Sequence, residues 1–97
     1  MMSVIRKVES GTSFFTYLLR CSDGSFYCGW TVDLQQRLTA HNRGRGARYT
    51  RARLPVALVY YEEFNSRSEA QLREQQLKRL NHGQKSRLAE ERHPNGF

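Results

Sequence analysis

Two short segments rich in strand-forming residues, separated by four turn residues, constrain the fold of this chain more than any other feature. Residues 14–21 read Phe-Phe-Thr-Tyr-Leu-Leu-Arg-Cys, and residues 26–30 read Phe-Tyr-Cys-Gly-Trp. The intervening stretch, 22–25, reads Ser-Asp-Gly-Ser, which is typical of a turn. The two segments are therefore predicted to form a β-hairpin.

The register of this hairpin decides whether Tyr17 and Tyr27 can share a site. A two-residue turn would pair Tyr27 with Arg20 and place the two tyrosines on opposite faces of the sheet. A three-residue loop with Gly24 in the left-handed region would pair Tyr27 with Leu19, on the same face as Tyr17. A site that uses both tyrosines therefore predicts the longer loop.

The next part of the chain predicts a helix. Asp33 is a suitable N-cap, with a capping-box partner at Gln36, and the apolar stripe is formed by Leu34 and Leu38. The helix is expected to end close to Gly44, before a loop rich in arginine and glycine.

One further strand and two further helices follow this loop. The continuous apolar run 56–61 predicts a strand that is buried on both faces, at the centre of the sheet. Ser66 is expected to cap a helix over about residues 67–80, with Glu74 at the edge of its apolar face. Asn81 is expected to begin a third, short helix that carries Leu88.

The predicted fold is thus α/β in the order β-β-α-β-α-α, with a three-stranded antiparallel or mixed sheet flanked by helices. The domain is expected to occupy residues 13–91, between a flexible N-terminal arm (1–12) and a loose C-terminal tail (92–97). At 97 residues, the chain has room for one small domain.

Positive charge is concentrated in one interval of the sequence. The chain carries 16 Lys and Arg against 9 Asp and Glu, a net charge of +7, and no acidic residue lies between Asp33 and Glu62. The arginines of that interval suit bidentate contacts with phosphate, and its glycines and tyrosine fit a nucleic-acid surface. A solvated basic loop is the structural alternative. The candidate nucleic-acid-binding residues are Arg43, Arg45, Arg48, Tyr49, Arg51, Arg53 and Lys78.

Several classes of protein are excluded or disfavoured. No apolar run approaches the roughly 20 residues that span a bilayer. No signal peptide is recognisable, and a cytoplasmic protein is expected. Cys21 and Cys28 are too few for a disulfide scaffold or a structural zinc site, and both fit small apolar strand positions.

Five polar residues in these elements are candidates for a shared site, and three of them are regularly spaced. Tyr17, Tyr27 and Arg37 are ten residues apart, His41 lies one helical turn after Arg37, and Glu74 lies on the later helix. The motifs Phe-Thr-Tyr (15–17), Tyr-Cys-Gly (27–29), the helix with Arg37 and His41, and Ala-Gln-Leu-Arg-Glu (70–74) together resemble the GIY-YIG nuclease domain. The similarity is greatest to the small single-domain bacterial branch of that family, and it covers about residues 14–90.

The resemblance implies hydrolysis of a phosphodiester with one divalent cation, Mg²⁺ or Mn²⁺. It implies that Glu74 ligates the ion, that Tyr17 is or orients the general base, and that Arg37 stabilises charge on the phosphate. Tyr27 and His41 would complete the site. A carboxylate is a suitable ligand for a hard cation. A tyrosine has a pKa of about 10, so it is a poor base at neutral pH. The nearby positive charges are expected to lower this pKa and favour the phenolate.

Each of these residues also has an ordinary structural explanation. Strands favour tyrosines in any case, and Arg37 fits a solvated helix position. His41 fits a helix end, where it would interact with the helix dipole. Glu74 borders an apolar stripe, where it needs a cation, hydrogen-bond donors or a salt bridge.

The expected function is a metal-dependent endonuclease of DNA, with structured or branched DNA favoured. Weak sequence selectivity and salt-sensitive binding are expected, because the chain has no room for an attached recognition domain. Two alternatives stay open: a non-catalytic nucleic-acid-binding module on the same fold, and an RNA-directed nuclease.

Overall fold

The computed structural model describes residues 12–91 as a three-stranded antiparallel sheet with helices on both faces. The elements in chain order are β1 (Phe14–Arg20), β2 (Phe26–Thr31), α1 (Leu34–Asn42), α2 (Arg48–Arg51), β3 (Ala57–Phe64), α3 (Arg67–Lys78) and α4 (His82–Glu90). The predicted β-β-α-β-α-α order is confirmed, and the one-turn helix α2 is added inside the predicted loop. The predicted arm, except for residue 12, and the predicted tail lie outside the described residues.

The hairpin has the register that a shared tyrosine site requires. Tyr27 pairs with Leu19 and Tyr17 pairs with Gly29, so the two tyrosines lie on the same face. The three-residue loop is closed by a hydrogen bond from the Cys21 N–H to the Ser25 carbonyl, at 2.8 Å. Gly24 has a φ of 84°, the left-handed conformation that glycine adopts without strain.

The prediction that the apolar run 56–61 forms the centre of the sheet is wrong. The strand order is β2-β1-β3, so β1 is central and β3 is an edge strand. Four consecutive residues of β1, 16–19, are buried. The sequence conceals this burial because two of the four are polar, Thr16 and Tyr17, and their partners lie far away along the chain.

Two apolar clusters fill the space on either side of the sheet. On one face, Tyr17 and Leu19 of β1 pack with Leu34 and Leu38 of α1. On the other face, Leu18 and Cys28 pack with Leu77 of α3, and Leu88 of α4 adds to this cluster. Helix α1 and the α3–α4 pair therefore cover opposite faces.

The helices begin where the capping residues indicate. The Asp33 carboxylate accepts the Gln36 N–H, and the Ser66 hydroxyl accepts the Glu69 N–H. Only Asn81 forms the full reciprocal capping box, with Gln84. Helix α3 ends at Lys78, two residues before the predicted end. No helix within residues 12–91 has the length and apolar character needed to cross a bilayer.

Candidate active site

The Tyr17 ring lies directly over Gly29 of the neighbouring strand. A Cβ atom on Gly29 would be 2.5 Å from the Tyr17 hydroxyl oxygen, which is closer than such atoms approach in proteins. The glycine of the Tyr-Cys-Gly motif thus provides the space in which the tyrosine hydroxyl sits. Both residues come from the paired strands β1 and β2, which fix their positions.

A chain of hydrogen bonds runs from the Tyr17 hydroxyl into the interior. The Tyr17 Oη and the His41 Nε2 are 3.0 Å apart, and the His41 Nδ1 is 2.8 Å from the Thr50 hydroxyl oxygen. The Thr50 hydroxyl donates its single proton to the Ala47 carbonyl, at 3.1 Å. Thr50 must therefore accept from the Nδ1–H of His41, which leaves Nε2 to accept the Tyr17 proton.

Both ends of the Tyr17–His41 pair are held in their neutral forms. Burial raises the pKa of the Tyr17 hydroxyl above its ordinary value; Tyr27 adds to the shift and Arg37 opposes it. Burial also lowers the pKa of His41, and Arg37 acts in the same direction. Arg37 lowers the pKa of Tyr17, in the direction expected of a nearby positive charge, but burial has the larger effect and keeps the hydroxyl protonated in the protein alone.

Tyr27 and Arg37 flank this pair from two elements. The Tyr27 ring meets the His41 ring edge-on at 5.2 Å and stacks with the Tyr49 ring at 6.2 Å between centroids. Arg37 lies one turn before His41 on α1, and it lines a small apolar cleft together with Tyr17. Its charge influences the pKa of both Tyr17 and His41, as expected of a group that faces them.

Glu74 reaches the same region from the opposite face of the sheet. Helix α3 is anchored to β1 by the buried Thr16 hydroxyl, which donates to the Ala70 carbonyl at 2.7 Å. Glu74 lies one turn beyond Ala70, and its side chain is only 14% exposed. Its charge contributes to the raised pKa of Tyr17. Its salt bridge is to Lys78, with 3.5 Å between Oε2 and Nζ.

The donor set around Glu74 fits a magnesium-type ion rather than a zinc-type ion. Within residues 12–91, no three His, Cys, Asp or Glu side chains form a metal-binding group. Mg²⁺ commonly binds one or two carboxylates and completes its shell with water and substrate phosphate oxygens. A single, largely buried carboxylate beside a basic surface matches that requirement.

The basic interval forms the rim of this site, and its arginines differ in their surroundings. Asn42, at the end of α1, is hydrogen-bonded to Val56, just before β3. The Asn42 Nδ2 donates to the Val56 carbonyl at 3.0 Å, and the Asn42 Oδ1 accepts the Val56 N–H at 2.8 Å. Arg53 lies over the Tyr49 ring at 3.8 Å and forms a 3.1 Å salt bridge with Asp23, so its charge is already partly engaged. The arginines that are exposed are Arg43, Arg45, Arg48 and Arg51.

Two residues that contact the site were not singled out from the sequence. Gly46 lies against the His41 ring, where a Cβ atom would be 2.2 Å from Nδ1. Thr50 accepts the hydrogen bond that orients that ring. Both lie between α1 and β3, in the part of the chain predicted as an arginine- and glycine-rich loop. Their contacts depend on the fold of this stretch, which residue type alone does not reveal.

Comparisons with known proteins found similar chains and solved structures. UPF0213 protein CPE1444 of Clostridium perfringens is 51% identical over 74 residues, which cover 76% of this chain and 80% of that protein. UPF0213 protein SH2523 of Staphylococcus haemolyticus is 45% identical over 78 residues, which cover 80% of this chain and 95% of that protein. The solution NMR structure of EF2693 from E. faecalis has a TM-score of 0.53 and 45% identity, and it covers 77% of this chain and 80% of that chain.

The family comparison covers most of the chain. Residues 13–87 match the GIY-YIG catalytic domain, and they include all five polar residues of the candidate site. The chain therefore belongs to the GIY-YIG family, among its small single-domain UPF0213 members.

Proposed function

We propose that this chain is a metal-dependent endonuclease that hydrolyses phosphodiester bonds of DNA. The observation that carries the proposal is the Tyr17–His41–Thr50 chain of hydrogen bonds. A buried phenol whose proton already points at a neutral imidazole is a proton-transfer pair. Arg37 and Glu74 supply the two charges that phosphoryl transfer needs beside it.

The protonation states favour a relay through Tyr17 over a free phenolate. As the water oxygen forms its bond to phosphorus, Tyr17 accepts the water proton while its own proton passes to the His41 Nε2. The bond from phosphorus to the leaving oxygen breaks, and solvent supplies the proton for that oxygen. The imidazolium that forms keeps its Nδ1–H bond to Thr50, and the substrate phosphate offsets its charge.

Arg37 and Glu74 have separate tasks in this scheme. The Arg37 guanidinium carries fixed donors toward the charge that develops on the phosphate oxygens. Glu74 would hold the divalent cation, which supplies Lewis-acid stabilisation when bound. Exposed arginines of the rim contact phosphates without reading bases, which favours weak sequence selectivity and leaves room for preference among DNA shapes.

Cleavage of labelled DNA with Mg²⁺, with Mn²⁺ and with EDTA tests the proposal. Linear and branched DNA are both used, and Glu74→Gln is compared with Glu69→Gln, an exposed position in the first turn of the same helix. We expect metal-dependent cleavage that falls more than about a hundredfold in Glu74→Gln and is retained in Glu69→Gln. DNA binding with no cleavage under any condition would instead indicate a binding module, and cleavage confined to RNA would indicate an RNA-directed nuclease.

A further inference from the structure

A cavity of about 220 Å³ lies next to the candidate active site, at the edge of β2 that pairs with no other strand of residues 12–91. Three consecutive residues of β2 line it, and because neighbouring strand residues point to opposite faces, the cavity wraps around the edge of the sheet. It is smaller than the roughly 300–1,000 Å³ of pockets for drug-sized molecules, so it has room for one small group. Its lining residues are Phe26, Tyr27, Cys28, Tyr49, Lys78 and Lys85.

Two lysines from different helices converge on this cavity. Lys78 is at the end of α3 and Lys85 is in α4. Burial raises the pKa of the Cys28 thiol, and both lysine charges oppose that shift, which places both near the same sulfur atom. Among residues 12–91, Lys85 has no carboxylate within salt-bridge distance, whereas Lys78 bridges to Glu74.

The aromatic walls of the cavity favour an anion over a base. Arg53 lies over the Tyr49 ring, and Tyr27 stacks with the same ring. The Phe26 ring is in contact with Arg20 and with His82. Little ring face is left for a base to stack on, and ring edges carry partial positive charge. Two lysines beside these rings can bind a phosphate through their ammonium groups.

We propose that this cavity binds a second phosphate of the DNA strand, next to the one that is cleaved, and that Lys85 is a substrate-binding residue. This inference rests on the proposed function, because that function defines which phosphodiester bond is cleaved and therefore which phosphate is its neighbour. The Lys78–Glu74 salt bridge and the shared wall at Tyr27 connect the cavity to the candidate active site. The two sites together hold consecutive phosphates of one strand.

Equilibrium binding without cleavage tests the role of Lys85. A fluorescein-labelled oligodeoxynucleotide is titrated in EDTA, and anisotropy is followed at several salt concentrations for wild type, Lys85→Ala and Arg87→Ala. Arg87 is an exposed cation on the same helix and does not line the cavity, so it controls for the loss of one charge. We expect Lys85→Ala to weaken binding about fivefold and to reduce the salt slope by about 0.7–0.9, with a much smaller effect in Arg87→Ala.

A scan of neutral phosphates tests which group the cavity binds. A methylphosphonate is placed at one position at a time along one strand of a branched DNA, whose branch point fixes the position at which the protein binds. At a single position next to the cut, it should weaken wild-type binding and leave Lys85→Ala binding unchanged. Removal of the base at that position should leave the difference in DNA affinity between wild type and Lys85→Ala unchanged. If that difference is lost when the base is removed, the cavity holds a base.

The failure of this inference is distinguishable from the failure of the proposed function. Equal losses in Lys85→Ala and Arg87→Ala would overturn the phosphate site, even if the protein cleaves DNA. Loss of binding specific to Lys85→Ala in a protein that never cleaves DNA would support the site and reject the nuclease. Circular dichroism of each variant, and Lys85→Arg as a charge-retaining variant, exclude misfolding as the cause.

Discussion

At the scale of single residues, the candidate site depends on two positions where the chain has no room for a side chain. Gly29 leaves space for the Tyr17 hydroxyl, and Gly46 leaves space for the His41 ring. Neither Gly29 nor Gly46 has a positive φ, so neither is needed for a left-handed backbone conformation. Each is needed because another side chain lies against its Cα. The hydrogen bond between Tyr17 and His41 is thus enclosed by the backbone on both sides.

Gly29→Ala should therefore damage the site more than the fold. The added methyl group meets the Tyr17 hydroxyl at 2.5 Å, so the ring must move away from His41. We expect a loss of about 1–3 kcal/mol of stability and a large loss of DNA cleavage. Gly83→Ala is the matched control, because its nearest neighbour is 3.5 Å away. A Gly29→Ala enzyme that cleaves at the wild-type rate would contradict the placement of Tyr17.

Thr50→Val tests the orientation of the His41 ring. The valine removes the acceptor of the Nδ1–H bond and leaves a buried donor unpaired, at a cost of about 1–3 kcal/mol. We expect nitrogen chemical shifts of His41 to show a single Nδ1–H tautomer in the wild type and a mixture in Thr50→Val. Thr50→Ser keeps the hydroxyl and should restore the single tautomer. The same tautomer in all three proteins would argue against a role for Thr50.

The stability of the protein should decrease on mild acidification because of His41. Burial lowers the pKa of His41 below 6.5 in the folded state, so the unfolded chain takes up the proton first. The free energy of unfolding is unaffected by this group above about pH 6.5 and decreases as the pH falls from there to the lowered folded-state pKa. Melting temperatures of wild type and His41→Gln, measured from pH 8 to pH 5, should differ in slope. Parallel curves would mean that His41 does not titrate differently in the two states.

At the scale of elements, hydrogen bonds from side chains and backbone hold the connecting segments against the sheet. Asn42 at the end of α1 makes two hydrogen bonds with the backbone of Val56, just before β3. The Arg53 carbonyl accepts the Ser22 N–H, and His82 at the start of α4 bonds the Gly24 carbonyl. The basic segment between α1 and β3 is therefore held against the hairpin loop, near Tyr27 and His41.

Asn42→Ala should release one end of the basic segment. Both polar groups of the buried Val56 backbone would lose their partner, which costs about 1–3 kcal/mol. We expect a lower melting temperature and faster amide exchange at Val56. Asn65→Ala, at an exposed position, is the control. Unchanged exchange at Val56 would show that the segment is held by other contacts.

Local signals in the sequence predict most elements, whereas long-range partners decide the arrangement. The helices begin after three capping residues that can be recognised locally, Asp33, Ser66 and Asn81. The hairpin turns at Gly24, which is also a local signal. The place of β3 at the edge was missed, because an apolar run does not state how many neighbours a strand has. The burial of β1 is secured by hydrogen bonds to α3 and α1, which spacing along the chain does not reveal.

At the scale of the whole molecule, the candidate site draws residues from both faces of one sheet. Helix α1, with His41, packs on the Tyr17 face, and α3, with Glu74, packs on the Leu18 face. The charges of Arg37 on α1 and Glu74 on α3 nevertheless both influence the pKa of the Tyr17 hydroxyl. The hairpin register was predicted only on the condition that Tyr17 and Tyr27 share a site, which the observed pairing satisfies. The placement of Glu74 where its charge influences Tyr17 required the three-dimensional structure.

Binding of DNA by the whole molecule should depend steeply on salt. With a net charge of +7 and four exposed arginines in one segment, most of the affinity comes from release of counterions. We expect log K to fall linearly with log salt, and each of Arg45→Ala and Arg48→Ala to reduce the slope by about 0.7–0.9. Arg79→Ala, at an exposed position outside the segment, is the control. Equal slopes in all variants would place the DNA elsewhere.

Because β2 is an edge strand, heating is expected to disrupt the candidate site before it unfolds the protein. This strand carries Tyr27 and Gly29, yet among the strands of residues 12–91 it is hydrogen-bonded to one neighbour, β1. Edge segments detach in small fluctuations, with a free energy below that of global unfolding. When β2 detaches, Tyr27 and Gly29 move away from Tyr17 and His41, while β1, β3 and the helices packed on them stay folded. Inactivation should accordingly begin at temperatures where spectroscopy still reports a fully folded protein.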